Sequence, residues 1–282
     1  MDLIEKIWGE LLETNVESLK WWEQQKALYE KRQAKIVRIK GKGHVYHRLR
    51  YDDEETIYYH LHLAVLLKQG EHFIREERVV PNVIRIKAGD IMEHRELNLG
   101  VPKEQKGKLT LLNDDNDTVH ERFSYDRRAA VQYAERWWNS YNPAYRKFDV
   151  DCTNFISQCL RSGGAPMRGA PNRGRGWWYQ GNNWSYSWAV AHSLRWYLAG
   201  STQGLKGTEV ESPMELQPGD VICYDFEGDG KWNHNTIVVT KDANGAPLVN
   251  AHTHNSRHRF WSYEDSTAYT PNIKYKFFRI GD

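Results

Sequence analysis

The sequence predicts an α+β protein in two parts. Residues 1–118 read as a helical segment followed by an antiparallel β-meander, and residues 119–282 as helices packed on a second antiparallel sheet. Three patterns carry this. Leu3, Ile4, Ile7, Trp8, Leu11 and Leu12 keep a helical period. From Ala34 the apolar period drops to two. Beyond residue 123 the helical period returns and then gives way to short runs of Val and Ile bounded by Gly, Asp and Asn.

Within 1–35, Thr14-Asn15-Val16-Glu17 has the form of a capping box that restarts a helix carrying Val16, Leu19, Trp22 and Leu28. Ile36, Val37 and Ile39 begin a strand, Gly41-Lys42-Gly43 turns it, and Val45, His47, Leu49 and Tyr51 alternate beyond. Asp52-Asp53-Glu54-Glu55 is a turn before Tyr59, Leu61, Leu63 and Val65, and short strands around 72–80 and 83–87 complete the meander. His60 and His62 share a strand face but have no third ligand nearby, so an exposed face explains them better than a metal does. Residues 100–120 read as a linker or edge strand, with the boundary near 118.

The second part opens with a helix from Ser124 through Trp137, broken at 139–143. A second helix follows Asp151, with Phe155, Ile156, Cys159 and Leu160 on one face, and stops at Ser162-Gly163-Gly164. Residues 165–186 form a long loop rich in Gly, Arg, Trp and Tyr, and a helix runs from Ser187 to Leu198. Val221–Phe226, Thr236–Thr240 and Leu248–Ala251 are strands. Asp225-x-Glu227-x-Asp229-Gly230 imitates half a calcium loop, but Thr236 stands where the closing Glu belongs, which leaves a hairpin turn as the reading.

Bulk composition narrows the function. Lys+Arg 39 against Asp+Glu 37 is too balanced to argue for nucleic acid. Three cysteines are too few for a disulfide scaffold and read as free thiols. No apolar run approaches the ~20 residues that span a bilayer. The acidic start Met1-Asp2-Leu3-Ile4-Glu5 lacks a signal peptide's basic region, so the expectation is a cytoplasmic protein, or a secreted or wall-associated one if a leader had been removed. No cofactor and no metal are expected. The 12 Trp and 16 Tyr suit either a stacking groove or a well-packed core.

The chemistry gathers at Cys152. A thiol in the first turn of a helix meets unpaired N–H groups and the positive end of the helix dipole, which favour a thiolate. The same donors favour an oxyanion. His234, just before a strand, would serve as base, and a third polar group would orient its imidazole. His252 is the choice for that group, with Asn250 and Asn255 as competitors. Cysteine is also among the most buried residue types, and Cys159 reads as core.

Several stretches in order resemble the putative amidase domain of bacterial proteins: Asp151-Cys152-Thr153-Asn154-Phe155-Ile156-Ser157-Gln158, Ser185-x-Ser187-Trp188, Pro218-Gly219-Asp220-Val221-Ile222, Gly228-Asp229-Gly230, His234-x-Thr236-Ile237-Val238 and Ala251-His252-Thr253. That domain is similar to the NlpC/P60 and CHAP group of papain-like cysteine hydrolases. The resemblance covers about 120–282 and implies a papain-like unit with Cys152 as nucleophile, His234 as base and His252 as the third residue. It also gives Asp151 a possible role in binding a substrate amine, beside helix capping. Ser187, Trp184 and Trp188, in the aromatic loop and the helix after it, are the remaining substrate-binding candidates.

The expected function is thiol-dependent hydrolysis of an amide, with a peptide or peptidoglycan fragment as partner. A deamidating or acyl-transferring relative shares this chemistry. The alternative from another class is a wall- or glycan-binding module with a silent site.

Overall fold

The computed structural model describes Ile4, Trp8 and residues 20–97 and 124–281. The chain divides into two compact units. One holds 1–100 with 254–256 and 263–267, and the other 101–253 with 257–262 and 268–282. The capping box at 14–17, the linker at 100–120 and the boundary near 118 lie outside the described residues.

In the first unit, helix α1 (Lys20–Lys31) precedes strands β1 (Lys35–Tyr51), β2 (Glu54–Gln69), β3 (His72–Lys87) and β4 (Asp90–Glu96). Each strand pairs antiparallel with the next. The period of two builds this sheet: Ile57, Tyr59, Leu61, Leu63, Val65 and Leu67 of β2 are each at most 2% exposed. Trp21, Trp22, Leu28 and Tyr29 of α1 are buried as well. Arg32, one residue past the helix, pairs with buried Glu76 of β3 at 2.6 Å. The break expected after residue 80 does not occur, and Pro81 still accepts from Leu97 N–H through its carbonyl.

The second unit begins with α2 (Arg127–Trp137), capped by the Asp126 carboxylate accepting from Ala129 N–H, and α3 (Cys152–Ser162). The small hairpin β5 (Tyr179–Gln180) and β6 (Asn183–Trp184) follows. The single helix expected over 187–198 is two, α4 (Tyr186–Ala189) and α5 (Ala191–Gly200), because Val190 is extended between them. Six strands complete the unit: β7 (Gly207–Val210), β8 (Val221–Asp225), β9 (His234–Lys241), β10 (Pro247–Ala251), β11 (Ser256–Phe260) and β12 (Lys274–Ile280). They lie in the order β11-β10-β9-β8-β12-β7. The core joins Ala130 and Ala134 of α2 and Phe155, Ile156, Cys159 and Leu160 of α3 to Val221, Ile237, Val239 and Phe278 of the sheet. Burying each large apolar side chain stabilises by roughly 1.5–3 kcal/mol.

This overturns the expected fold class. The α+β reading with a papain-like second unit of helices on a sheet is not what the structure shows. About 41% of the described residues are strand and 22% helix, so antiparallel sheet dominates. Two causes account for it. The meander strands run 16 or 17 residues instead of a handful. Strands β7, β11 and β12 carry mixed polar and aromatic residues without clean alternation, and the sequence reading passes over them.

Candidate active site

Helix α3 forms where the sequence predicts it, and its burial is unusual for a helix with so many polar residues. Every residue from Cys152 to Leu160 is buried, so each polar side chain needs a partner. Thr153 Oγ1 accepts from Asn235 Nδ2 at 3.1 Å. Asn154 donates to the Arg146 carbonyl and to Asp151 Oδ1, both at 2.9 Å, and accepts from Trp188 Nε1 at 2.8 Å. Ser157 donates to the Trp188 carbonyl and accepts from Trp177 Nε1. Gln158 Oε1 accepts from the Tyr133 hydroxyl. These bonds fix the helix start against α2, β9 and the aromatic segment.

Asp151 does not use its carboxylate as a helix cap, which corrects the capping expectation. One oxygen accepts from Phe148 N–H and Asn154 Nδ2. The other meets His252 Nδ1 at 2.8 Å. His252 Nε2 faces the Trp137 carbonyl at 2.7 Å, and its ring stacks on Phe155 at 3.9 Å and 13°. The two ring nitrogens thus face the Asp151 carboxylate and the Trp137 carbonyl. His252 is thereby bonded to Asp151 and to the end of α2. Of its competitors, Asn250 donates to the Ala134 carbonyl and Glu135, whereas the Asn255 side-chain oxygen is buried without a hydrogen-bond partner among the described residues.

The Cys152 thiol is 1% exposed, with Sγ 3.7 Å from Thr153 Oγ1. Burial pushes its pKa up. The Thr153 hydroxyl beside the sulfur opposes that rise without cancelling it. Cys159 is pushed well above the usual range by burial, and Cys223 also rises. All three cysteines are free thiols.

His234 begins β9 and is buried, its ring 5.6 Å from Tyr224 and stacked at 6.1 Å on Phe226. Alternation along β9 sends His234 and Asn235 to opposite faces, and Asn235 is the one whose amide reaches Thr153. The substrate-binding candidates separate in the same way. Trp188 and Ser187 are 0% exposed, and Ser187 donates to the Gly176 carbonyl, so both are core residues here. Trp184 is partly exposed between Arg146 and Arg173, with guanidinium-to-ring distances of 5.4 and 5.0 Å. The residues missed by sequence reasoning are Asn154 and Asn235. Each adjoins or nearly adjoins a chosen residue, which is the signal a wider window would have used. Asp225 gathers the N–H groups of Gly228, Asp229 and Gly230, as a tight turn requires.

Fold and site together define a mainly antiparallel β protein whose second unit presents a buried thiol at a helix start, beside the Thr153 hydroxyl. The chain belongs to the putative amidase domain family, which matches residues 124–278. It is similar to the uncharacterized protein YhbB of Bacillus subtilis strain 168, 48% identical over 279 residues, covering 96% of this chain and 89% of that protein. It is also similar to the uncharacterized protein YjcM of the same organism, 31% identical over 141 residues, covering 46% of this chain and 31% of that protein. No solved structure matches the chain. Among the described residues, no helix is long and apolar enough to cross a membrane.

Proposed function

We propose that the second unit hydrolyses an amide bond through Cys152. The observation that carries this reading is a buried thiol in the first turn of α3, with the Thr153 hydroxyl 3.7 Å from Sγ and the Asn235 side-chain amide bonded to that hydroxyl. Such donors stabilise negative charge on sulfur or on a substrate oxygen. Because burial raises the thiol pKa, little thiolate exists at neutral pH before substrate binds, and a base has to take the proton during attack. His234 is the proposed base, since it directly precedes Asn235, whose side-chain amide donates to the Thr153 hydroxyl beside the thiol. In the resting structure its ring packs on Tyr224 and Phe226, so the proposed reaction includes a backbone rearrangement at the start of β9.

In the proposed reaction Sγ attacks the carbonyl carbon, and His234 accepts the thiol proton. The tetrahedral oxyanion forms against the helix N-terminus. The C–N bond then breaks as His234 returns the proton to the leaving amine, leaving a thioester. Water, deprotonated by the same imidazole, attacks the thioester carbon, and the acid and free thiol are released. Peptides of the peptidoglycan type are the proposed substrates, supported by the sequence resemblance.

The test is alkylation by iodoacetamide across a pH series, followed for each cysteine by mass spectrometry, beside cleavage of wall-type peptides. Cleavage that stops as Cys152 is modified, with slower modification in His234→Ala and not in a folded Asn250→Ala control, is the expected result. Cleavage persisting after full modification of Cys152 defeats the proposal. The second reading, a binding module with a silent site, is favoured by the thiol being 1% exposed with a raised pKa. Binding of wall peptides with no turnover would establish it.

A further inference from the structure

The segment running into Cys152 forms one wall of an open pocket of about 440 Å³, lined by Pro143, Ala144, Tyr145, Arg146, Tyr179, Gly181 and Asn182. Tyr145 and Tyr179 meet edge to face at 5.1 Å, and Tyr145 stacks on buried Trp188 at 5.8 Å. The opposite wall is the β5–β6 hairpin, whose Gly181 has φ +58 and nothing within 4 Å of where a Cβ would stand. The pocket is tied to the thiol helix by one side chain: Asn154, two residues past Cys152, bonds to the Arg146 carbonyl and to Trp188 Nε1.

Charge distinguishes this pocket. Arg146 is exposed and lies 5.8 Å from the Phe148 ring and 5.4 Å from the Trp184 ring. Its backbone N–H donates to the Tyr179 hydroxyl, but its guanidinium has no hydrogen bond or ion pair with any described residue. Arg173 flanks Trp184 from a second position, and Lys147 sits 4.1 Å over Tyr141. Neither forms an ion pair with a described residue, and nor does Asp149; the segment's other acid, Asp151, is taken by His252. Rings therefore hold a guanidinium at the pocket with its N–H fork unused, beside the unbonded Asn182 amide. A planar fork with free donors fits a carboxylate better than a neutral amide.

We infer that this pocket is a carboxylate-recognising subsite for an acidic peptide, with Arg146 as the anion-binding residue and Tyr145 and Tyr179 as the walls for the peptide chain. The inference rests on the amide-hydrolase reading only in naming the peptide as substrate. Its test does not require turnover.

The experiment is isothermal titration of the full chain with N-acetyl-alanyl-glutamate and with the corresponding diamide. Peptide integrity is followed in the same sample by chromatography. The acid is expected to bind about tenfold more tightly than the diamide, the size of one charge-assisted fork. In Arg146→Gln that preference should shrink to about twofold or less, and Arg146→Lys should keep part of it, since a point charge replaces the fork. Equal binding of acid and diamide by the wild type overturns the inference, as does a full preference surviving in Arg146→Gln. Competition by inorganic phosphate or acetate as strong as that of the peptide also overturns it, by revealing a general anion site. Loss of the hydrolase reading, seen as turnover independent of Cys152, leaves the binding difference to stand or fall alone.

Discussion

In the first unit the buried polar side chains are spread along α1 and the sheet, and each closes a local bond. Arg32 meets Glu76, Gln69 donates to the Arg32 carbonyl, Gln25 donates to the Tyr29 hydroxyl and Asn82 donates to the Val80 carbonyl. In the second unit they crowd onto one helix start, where Asp151, Thr153, Asn154, Ser157 and Gln158 are buried with Asn235 and His252 around them. Dispersed bonds of the first kind satisfy buried groups and hold elements in register. Bonds of the second kind fix the first turns of one helix, the one that carries Cys152. Buried polarity spread along a unit holds its elements, whereas polarity gathered at one helix start makes that start a candidate site.

The largest effect that separates the units is on turnover. Cys152→Ser should lower cleavage by about a thousandfold or more, with the melting temperature little changed. A serine variant with full turnover would remove the functional half of the contrast.

Next comes stability. Asp151→Asn leaves His252 facing a neutral amide in a buried site, and should cost about 3 kcal/mol by urea unfolding. It should also alter the alkylation rate of Cys152, since the same carboxylate anchors Asn154. Arg32→Met breaks a pair buried as deeply, with a cost also about 3 kcal/mol, but should leave that alkylation rate unchanged. Equal effects of the two variants on Cys152 would show that the networks are not distinct.

The smallest effect is in acid. Burial lowers His94 to about 4, and its neutral ring shares a 2.6 Å hydrogen bond with the Tyr59 hydroxyl. The unfolded chain takes up that proton first, so the first unit should lose stability as pH falls from about 6.5 toward 4. For Glu135, burial acts upward, but His258 and Arg257 outweigh it and hold the carboxyl at about 2, against an ordinary 4.5. Its contribution is complete above about 4.5 and is lost as pH falls toward 2. Allowing for partial exposure, each amounts to about 2 kcal/mol. Hydrogen exchange at pH 7, 5 and 3 should show protection declining in β2–β4 before it declines in α2 and β10. The reverse order, or a His94→Gln variant with an unchanged acid limb, would count against this assignment.

Legibility followed the range of the interactions. The start of α3 at Cys152 was readable because its apolar spacing and its Gly stop lie within a dozen residues. The meander was readable because its alternation is local. Asp151 shows the limit. Its place before the helix suggests a cap, but its carboxylate turns instead to His252, 101 positions away. Trp188 and Ser187 look like groove residues by composition, yet both are sealed in the core.

The sequence by itself determined which faces are apolar and which thiol begins a helix, because side-chain period acts between near neighbours; the turn expected at Gly41-Lys42-Gly43 is instead paired strand within β1. Only the tertiary structure decided that sheet outweighs helix, that His252 locks Asp151, and that Asn235 and not His234 points its side chain at the helix start. Those outcomes depend on strand register and long-range pairing. Shifting β9 by one residue would exchange its two faces and put a different side chain beside the thiol.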